Sequence, residues 1–324
     1  MVGSDTRPAA CPSCARRGVH RLWTLRFAAH PGPFRLWACE VCGVVFHWPR
    51  LPAEAISGQY GSDYYIFSLP PARRWSRAAQ LYLELLLPLE KPPGRRLLEV
   101  GCAQGDLLAI ARHRGWDVHG VEISPEPARR ATAEYGVPVE IGTLEEQGAH
   151  LGLFDVAIAT DVIEHVTSPR RFLEAMRAAL VPGGRAILET PNAAGLWSRL
   201  GGRRWIGYNR FHLFLFGPGS LVRLMRACGF RDCRAWTTTH AAHVLWGHRP
   251  ELDALVRHLP AALRWRATRG LNRITPGSRA LDLWLDPPTS LSEALERIET
   301  YRARAAGPRR RRLSGDNLAV VGRA

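Results

Sequence analysis

From about Leu97 the chain alternates short apolar runs with amphipathic segments, separated by glycine turns. Leu97 to Val100 predicts a strand, and Leu107, Leu108 and Ile110 then share one helical face. A second strand ends at Glu122, with a helix from Ser124 through Tyr135, and a short third strand ends near Ile141. The run FDVAIATDVIEHV (154–166) holds a fourth strand, followed by a helix from Pro169 to Leu180 and a fifth strand in GGRAILETPN (183–192). GPGSLVRLMRACGF (217–230) predicts a helix capped by Ser220 and stopped by Gly229, leading into a further strand. GDNLAVVGRA (315–324) reads as a terminal strand that closes the sheet antiparallel. This rhythm specifies an α/β fold: a doubly wound, mostly parallel sheet of seven strands with helices on both faces.

Composition changes this picture little. At 324 residues with 46% hydrophobic and 23% charged, the chain can build one large core plus a small module, which excludes full-length disorder. No apolar run approaches the roughly 20 residues of a spanning helix. The N-terminus lacks a signal-peptide core, so the expectation is a cytoplasmic protein with no membrane span. The net charge of +15 raises a nucleic-acid partner. Lys91 is the sole lysine, and arginine replaces it throughout, a skew that fits compositional bias better than a binding stripe. The one dense basic run, Arg309 to Arg312, suits phosphates, an acidic partner or anionic lipid.

The cysteines add chemistry. Cys11 and Cys14, then Cys39 and Cys42, form two C-x-x-C pairs 24 residues apart, a spacing that lets four thiolates close on one ion. Structural zinc in a ribbon is the expectation. Disulfides do not suit a chain read as cytoplasmic, and His20, His30 and His47 are spare ligands that four cysteines make unnecessary. The site has no open position, so zinc takes no part in catalysis. Cys228 and Cys233 read as small core residues.

Ligands of such sheets sit beyond the carboxyl ends of the strands. The turn Glu99-Val-Gly101-Cys102-Ala103-Gln-Gly105 stands at the end of the first strand. It lacks the G-x-G-x-x-G spacing of a pyrophosphate cradle, because Ala103 and Asp106 occupy positions that need glycine. Glu122 ends the second strand 21 residues after Gly101, where a carboxylate accepts both ribose hydroxyls. A nucleoside without a pyrophosphate follows. S-adenosylmethionine fits that description, and NAD fits it poorly.

Leu97 to Asn192 resembles the class I S-adenosylmethionine-dependent methyltransferases, through this turn, Glu122, FDVAIATDVIEHV and LVPGGRAILETPN. Within them it is similar to the group that includes ubiquinone-biosynthesis O-methyltransferases, and NRFHLFLFGPGSLVRLMRACGF carries the likeness further. The paired cysteines, CGVVFHWPR and QYGSDYY resemble zinc-ribbon-bearing methyltransferases, among them sugar C-methyltransferases. The chain departs from the pattern at Ala103, usually glycine. The resemblance implies a Rossmann-like methyltransferase fold and a set of roles. Glu99 orients the turn and the methionine ammonium, while Gly101, Cys102 and Gly105 bring backbone close to the methionyl moiety. Glu122 holds the ribose, and Ile123, Thr143 and Leu144 border the adenine. Asp161 faces the methionyl end, and Tyr64 or Tyr65 covers the cofactor.

A hydroxyl or acidic carbon acceptor benefits from a base with a pKa near neutrality. His165, after the fourth strand and beside Glu164, is the first candidate, and His212 is the second. Trp197, Trp205, Tyr208 and Phe211 make an acceptor lid in the connection after the fifth strand. The expected organisation is a zinc-ribbon module (1–50), a helical lid or linker (51–96), the S-adenosylmethionine-binding core (97–240), a helical insertion (241–312) and the closing strand (313–324). In the insertion, Leu291, Leu295 and Ile298 follow a Ser290…Glu293 capping box. The favoured reading is methyl transfer to an O or C atom of a sugar, quinone-like molecule or secondary metabolite. The alternatives are a zinc-ribbon-bearing RNA (rRNA base) methyltransferase and a non-catalytic scaffold. Neither the acceptor nor the oligomeric state is written in these motifs.

Overall fold

The computed structural model describes residues 7–27, 33–50, 69–90, 95–238, 283, 287–304 and 317–324. The strands of the large sheet are β4 (Arg96–Val100), β5 (Asp117–Glu122), β6 (Val139–Ile141), β7 (Phe154–Thr160), β8 (Leu180–Pro191), β10 (Arg231–Thr238) and β11 (Asn317–Arg323). They lie in the order β10-β11-β8-β7-β4-β5-β6. β4 pairs parallel with both β5 and β7, so the chain direction across the sheet reverses at β4. That reversal opens a crevice beyond the strands' carboxyl ends.

Alternation along the strands separates two cores. Leu97, Val156, Ile158 and Ile187 face one side, together with helices α1 (Pro71–Leu81), α2 (Asp106–His113), α3 (Pro125–Tyr135) and α8 (Leu291–Arg304). Leu98, Val100, Ala157, Ala159 and Leu188 face the other, against α5 (Pro169–Ala178) and α7 (Pro218–Ala227). The near-continuous apolar character of β7 follows, since both its faces are covered.

Several boundaries differ from expectation for local reasons. The terminal strand is antiparallel as expected, but it is not an edge: β11 is inserted between β8 and β10, with Val320 opposite both Leu188 and Ala235. α5 ends at Ala178, because Leu180 already begins β8. α7 starts at Pro218 rather than after Ser220. Gly217 is its N-cap, proline fills the first turn, and Ser220 Oγ accepts from the Gly217 N–H at 2.9 Å.

Within the expected lid or linker (51–96), α1 and the π-helical turn Tyr82–Leu86 form a layer of the core. Trp75, Ala79, Tyr82, Leu83 and Leu86 are buried there. Of the expected insertion, Leu283 and 287–304 are described. They supply α8, with Ala294 and Ile298 buried against the α1–α2 side, and Ser290 Oγ caps the Glu293 N–H. Arg309 to Arg312 lie outside the described residues. No described helix is long and apolar enough to cross a membrane.

A second, antiparallel sheet contains β1 (Val19–Leu25), β2 (Phe34–Cys39), β3 (Val45–His47) and β9 (Phe214–Leu215). The first three form the N-terminal ribbon, but the fourth comes from the core. Phe46 pairs with Phe214, and Val45 pairs with Leu215. The ribbon is therefore welded to the segment that leads into α7.

Candidate functional site

At the end of β4 the backbone turns through Gly101 (φ +73°), Ala103 (φ +47°) and Gly105 (φ +77°). Glycine is required at the first, where a Cβ would stand 2.5 Å from Val162 Cγ2. Ala103 adopts a left-handed conformation that costs an L-residue about 1–2 kcal/mol. Glu122, at the end of β5, offsets that cost: its carboxylate accepts from the Ala103 N–H and the Ser124 N–H, each at 2.9 Å. Burial raises the Glu122 pKa, and the two amides offset only part of that rise. The carboxylate thus first shapes the turn, and its remaining lone pairs are available to hydroxyls. Beside it, Ile123 is 41% exposed, an apolar surface next to a buried acid.

Glu99 is buried at the same strand end, and its Oε2 has no hydrogen-bond partner among the described residues. Burial, followed by the proximity of Asp106 and Glu122, pushes its pKa well above the ordinary carboxylate value. A buried, unpartnered acid beside two other acids fits a cationic ligand group. Cys102 presents only backbone to this cleft, because its thiol is buried over Gly120. Leu144 likewise turns its side chain into the core, and Thr143 is occupied in a capping box with Glu146 at the start of α4 (Leu144–Gln147). Tyr64 and Tyr65 lie outside the described residues.

Across the crevice, Asp161 follows β7 with φ +55°. Arg77 of α1 holds it at 2.9 Å and also binds the buried Glu189 of β8, whose other oxygen accepts from Asn317 at 3.1 Å. One turn earlier, Arg74 binds Asp106 at 3.0 Å. Arg74 and Arg77 lie on the same i, i+3, i+4, i+7 stripe as Ala78 and Leu81. Two arginines on an otherwise apolar helical stripe are a sequence signal that both are held in the interior, although it does not name their partners. Desolvation disfavours the Arg77 charge, but Glu189 and Asp161 more than compensate and raise its pKa. Arg77→Ala is expected to cost about 3–5 kcal/mol in urea unfolding by stranding Glu189. Arg77→Lys should recover only part of that loss, since a lysine cannot bridge both acids with a fork.

On the acceptor side the structure brings His165 and His212 together, with ring centroids 4.8 Å apart. His165 Nδ1 lies 3.0 Å from the Phe211 carbonyl, and His212 Nδ1 lies 2.8 Å from the Gly207 carbonyl. A carbonyl partner requires a donor, so both Nδ1 atoms carry the proton and both Nε2 atoms keep a lone pair. Burial lowers the His165 pKa to about 4, and burial together with neighbouring His165 holds His212 well below the ordinary histidine value. Neither therefore matches the near-neutral base expected from sequence. Both are instead neutral imidazoles at physiological pH. Glu164 is fully buried, accepts from Thr190 Oγ1 at 2.9 Å, and is held toward its neutral form chiefly by that burial. Glu164, His165 and His212 each place a ligand-type atom within 4.8 Å of the others.

The four ribbon cysteines converge, with all Sγ atoms within 4.8 Å. Cys11 to Cys42 and Cys14 to Cys39 each measure 3.7 Å, too long for a disulfide. Tetrahedral zinc with 2.3 Å bonds places sulfurs about 3.8 Å apart, so the donor set fits that ion. His20 pairs with Glu40, and His47 stacks on Phe34, so neither substitutes for a thiolate; His30 lies outside the described residues. The Cys42 carbonyl accepts from Arg223 of α7 at 2.7 Å, and the His47 N–H donates to the Leu213 carbonyl at 2.8 Å. Leu213 and Phe214 in turn donate to the Glu164 carbonyl at 2.7 and 3.1 Å. Trp205 and Tyr208, expected in a lid, pack edge-to-face in a cluster with Phe34, Leu36 and Leu215 of the small sheet. They anchor the connection, and Trp197 points outward instead.

Residues 72–234 match the profile of a family described as a methyltransferase domain. The ubiquinone biosynthesis O-methyltransferase of Pectobacterium atrosepticum is 35% identical over 105 residues, covering 31% of this chain and 44% of that protein. The protein of the same name in Cereibacter sphaeroides is 36% identical over 120 residues, covering 36% and 48%. The chain thus spans less than half the length of these relatives. Among solved structures, a SAM-dependent methyltransferase from Archaeoglobus fulgidus superposes with a TM-score of 0.48 at 18% identity. It covers 81% of this chain and 100% of its own.

Proposed function

The chain belongs to the methyltransferase domain family, and from that premise we propose that it moves the methyl group of S-adenosylmethionine to an oxygen or carbon atom of a small molecule. The observation that carries this reading is the pair of buried acids at neighbouring strand ends. Glu122 accepts from two amides and Glu99 has an oxygen unpartnered among the described residues, facing a crevice with no pyrophosphate cradle. S-adenosylmethionine supplies an electrophilic methyl on sulfur when bound; the chain's residues bind, orient and exclude water.

In this assignment Glu122 accepts from the ribose hydroxyls, and Ile123 and the Thr143–Leu144 backbone border the adenine. Glu99 takes the methionine ammonium across the Gly101–Gly105 turn. Asp161, fixed by Arg77, bounds the methionyl end. His165 is the group that accepts the acceptor's proton, at its Nε2 lone pair, and His212 orders the same pocket. Both remain unprotonated across the working range, so at saturating cofactor the acid limb of kcat/KM for the acceptor should fall near pH 4, not near 6.5. The four thiolates of Cys11, Cys14, Cys39 and Cys42 hold a structural zinc ion with no open position. The relatives named for ubiquinone biosynthesis support a quinone-like acceptor ahead of a sugar.

The test is a panel of catechols, hydroxylated quinones and sugars assayed with labelled S-adenosylmethionine. His165→Ala should lower turnover of a true acceptor by about tenfold or more with cofactor affinity intact, less than a base tuned to neutrality would. Unchanged turnover would remove His165 from the mechanism.

A further inference from the structure

At the amino ends of the parallel strands, away from the cofactor crevice, arginines stand in one row across the sheet. Arg185 of β8 is directly opposite Arg323 of β11, and Arg323 is directly opposite Arg231 of β10. Directly opposed residues of antiparallel strands share a face, and like charges so placed are destabilising. Arg185 precedes Ile187 by two residues and Arg323 follows Val321 by two, so the row faces the α1–α2 side. Regular pairing does not produce it. Continued from the Arg234–Val321 pair, the register would set Asp232 opposite Arg323. A bulge at Asp232, whose φ is +49°, inserts one residue and places Arg231 there instead. The strand adopts a left-handed aspartate and exchanges an opposite-charge pair for a like-charge pair.

Little neutralises these charges. Among the described residues Asp232 lies 3.6 Å from Arg323. Asp155 lies 4.0 Å from Arg95, which enters β4 at the same end of the sheet and covers the Trp116 ring. Arg185, Arg231 and Arg234 form no ion pair with any described residue. Arg231, Arg234 and Arg323 are exposed, and Arg185 is half-buried. Burial, followed by the proximity of Arg323 and Arg95, lowers the Arg185 pKa. An array that repels itself in the free protein breaks a rule of sheet design, and a bridging anion turns that repulsion into attraction.

The row spans two interstrand gaps, about 10 Å. Guanidinium forks at this spacing suit adjacent oxyanions that each offer two oxygens. None of the described exposed large apolar side chains belongs to β8, β10 or β11. Four of them, Leu196, Trp197, Leu200 and Ile206, lie on helix α6 (Leu196–Gly201) and the turn after it, beyond the other end of β8. The row therefore lacks the apolar centre of a protein interface and the exposed rings on which a nucleic-acid strand stacks its bases. We propose that Arg185, Arg231 and Arg323, with Arg234 beside them, bind a linear phosphoanhydride anion, either the tail of a nucleoside triphosphate or free polyphosphate. Glu189 of the crevice lies four residues along β8 from Arg185, about 13 Å, so this ligand does not compete with the cofactor.

Calorimetry of the full-length protein with sodium tripolyphosphate tests the proposal. The expected result is saturable binding, at least tenfold tighter than that of orthophosphate and weakened by salt. Arg185→Gln/Arg231→Gln should weaken it at least tenfold, while the Tm without ligand stays the same or rises as a repelling pair is relieved. Arg231→Gln/Arg234→Gln alters exposed positions alone, should act in the same direction, and serves where the first variant folds poorly. A titration with ATP separates the two sources. A tenfold gain over tripolyphosphate that the same variants remove assigns the row to a nucleotide, and equal affinity assigns it to free polyphosphate. Absence of binding, binding that both variants leave unchanged, or equal affinity for orthophosphate would overturn the proposal. So would single-stranded RNA that binds more tightly and is weakened by the same variants, or a lower Tm in both ligand-free variants, which would give the arginines to the fold. Both variants should bind S-adenosylmethionine as the wild type does, so failure of the methyl-transfer reading is read separately from failure of this site.

Discussion

Replacing Glu122 with alanine should weaken S-adenosylmethionine binding about a hundredfold, close to 3 kcal/mol. Two losses combine. The ribose hydroxyls lose a charged acceptor, worth about 1.5–3 kcal/mol for such bonds. In addition, Ala103 loses the carboxylate that fixes its amide at 2.9 Å, so a left-handed alanine is free to relax out of the binding turn. Glu122→Gln keeps one acceptor and should lie between. Glu99 adds a pH dependence of definite sign. In the free protein burial and two neighbouring acids raise its pKa, so below that raised value it holds a proton. A cationic ligand group needs the ionised form, so binding releases that proton. Affinity should therefore rise with pH up to the free-state pKa and level off above it. Calorimetry in buffers of differing ionisation heat reads the released proton directly, and Glu99→Gln should abolish the release.

Loss of the zinc proposed for the four cysteines should have the second large effect, and a selective one. Cys42→Ser, or treatment with a strong chelator, removes a ligand from a site whose carbonyl also receives Arg223. Structural zinc contributes on the order of 10 kcal/mol in peptides that fold around it. Here Phe34, Leu36, Trp205 and Leu215 still hold the small sheet, so about 3–5 kcal/mol is the expected loss of stability. The damage passes along β3 to β9, and from Leu213 and Phe214 to the Glu164 carbonyl. Acceptor turnover should collapse with His165 and His212 displaced. Cofactor affinity should change less than threefold, because the Glu122 turn rests on β4 and β5. Equal losses of both would contradict this division.

Much of the scaffold was legible in sequence because its determinants are local. The β4 turn follows from glycine spacing, the acid at 122 follows from strand length, and the cysteine cluster follows from two short spacers. What escaped depends on partners far apart in the chain. Arg77 meets Asp161 and Glu189 only once α1 lies across the crevice. His165 and His212 each looked like a solitary base, and burial against one another makes both poorly basic. The ribbon read as a separate module because β9 is two residues long and carries no strand signal of its own. Trp205 and Tyr208 read as a lid for the same reason, since the sheet that receives them is built from the other end of the chain.

The most direct measurement is titration calorimetry of purified, metal-loaded protein with S-adenosylmethionine, alongside the Glu122→Ala variant. The expected result is one site per chain with micromolar affinity, reduced about a hundredfold in the variant. A folded protein that gives no binding heat and no shift in Tm with the cofactor would contradict the assignment of this crevice.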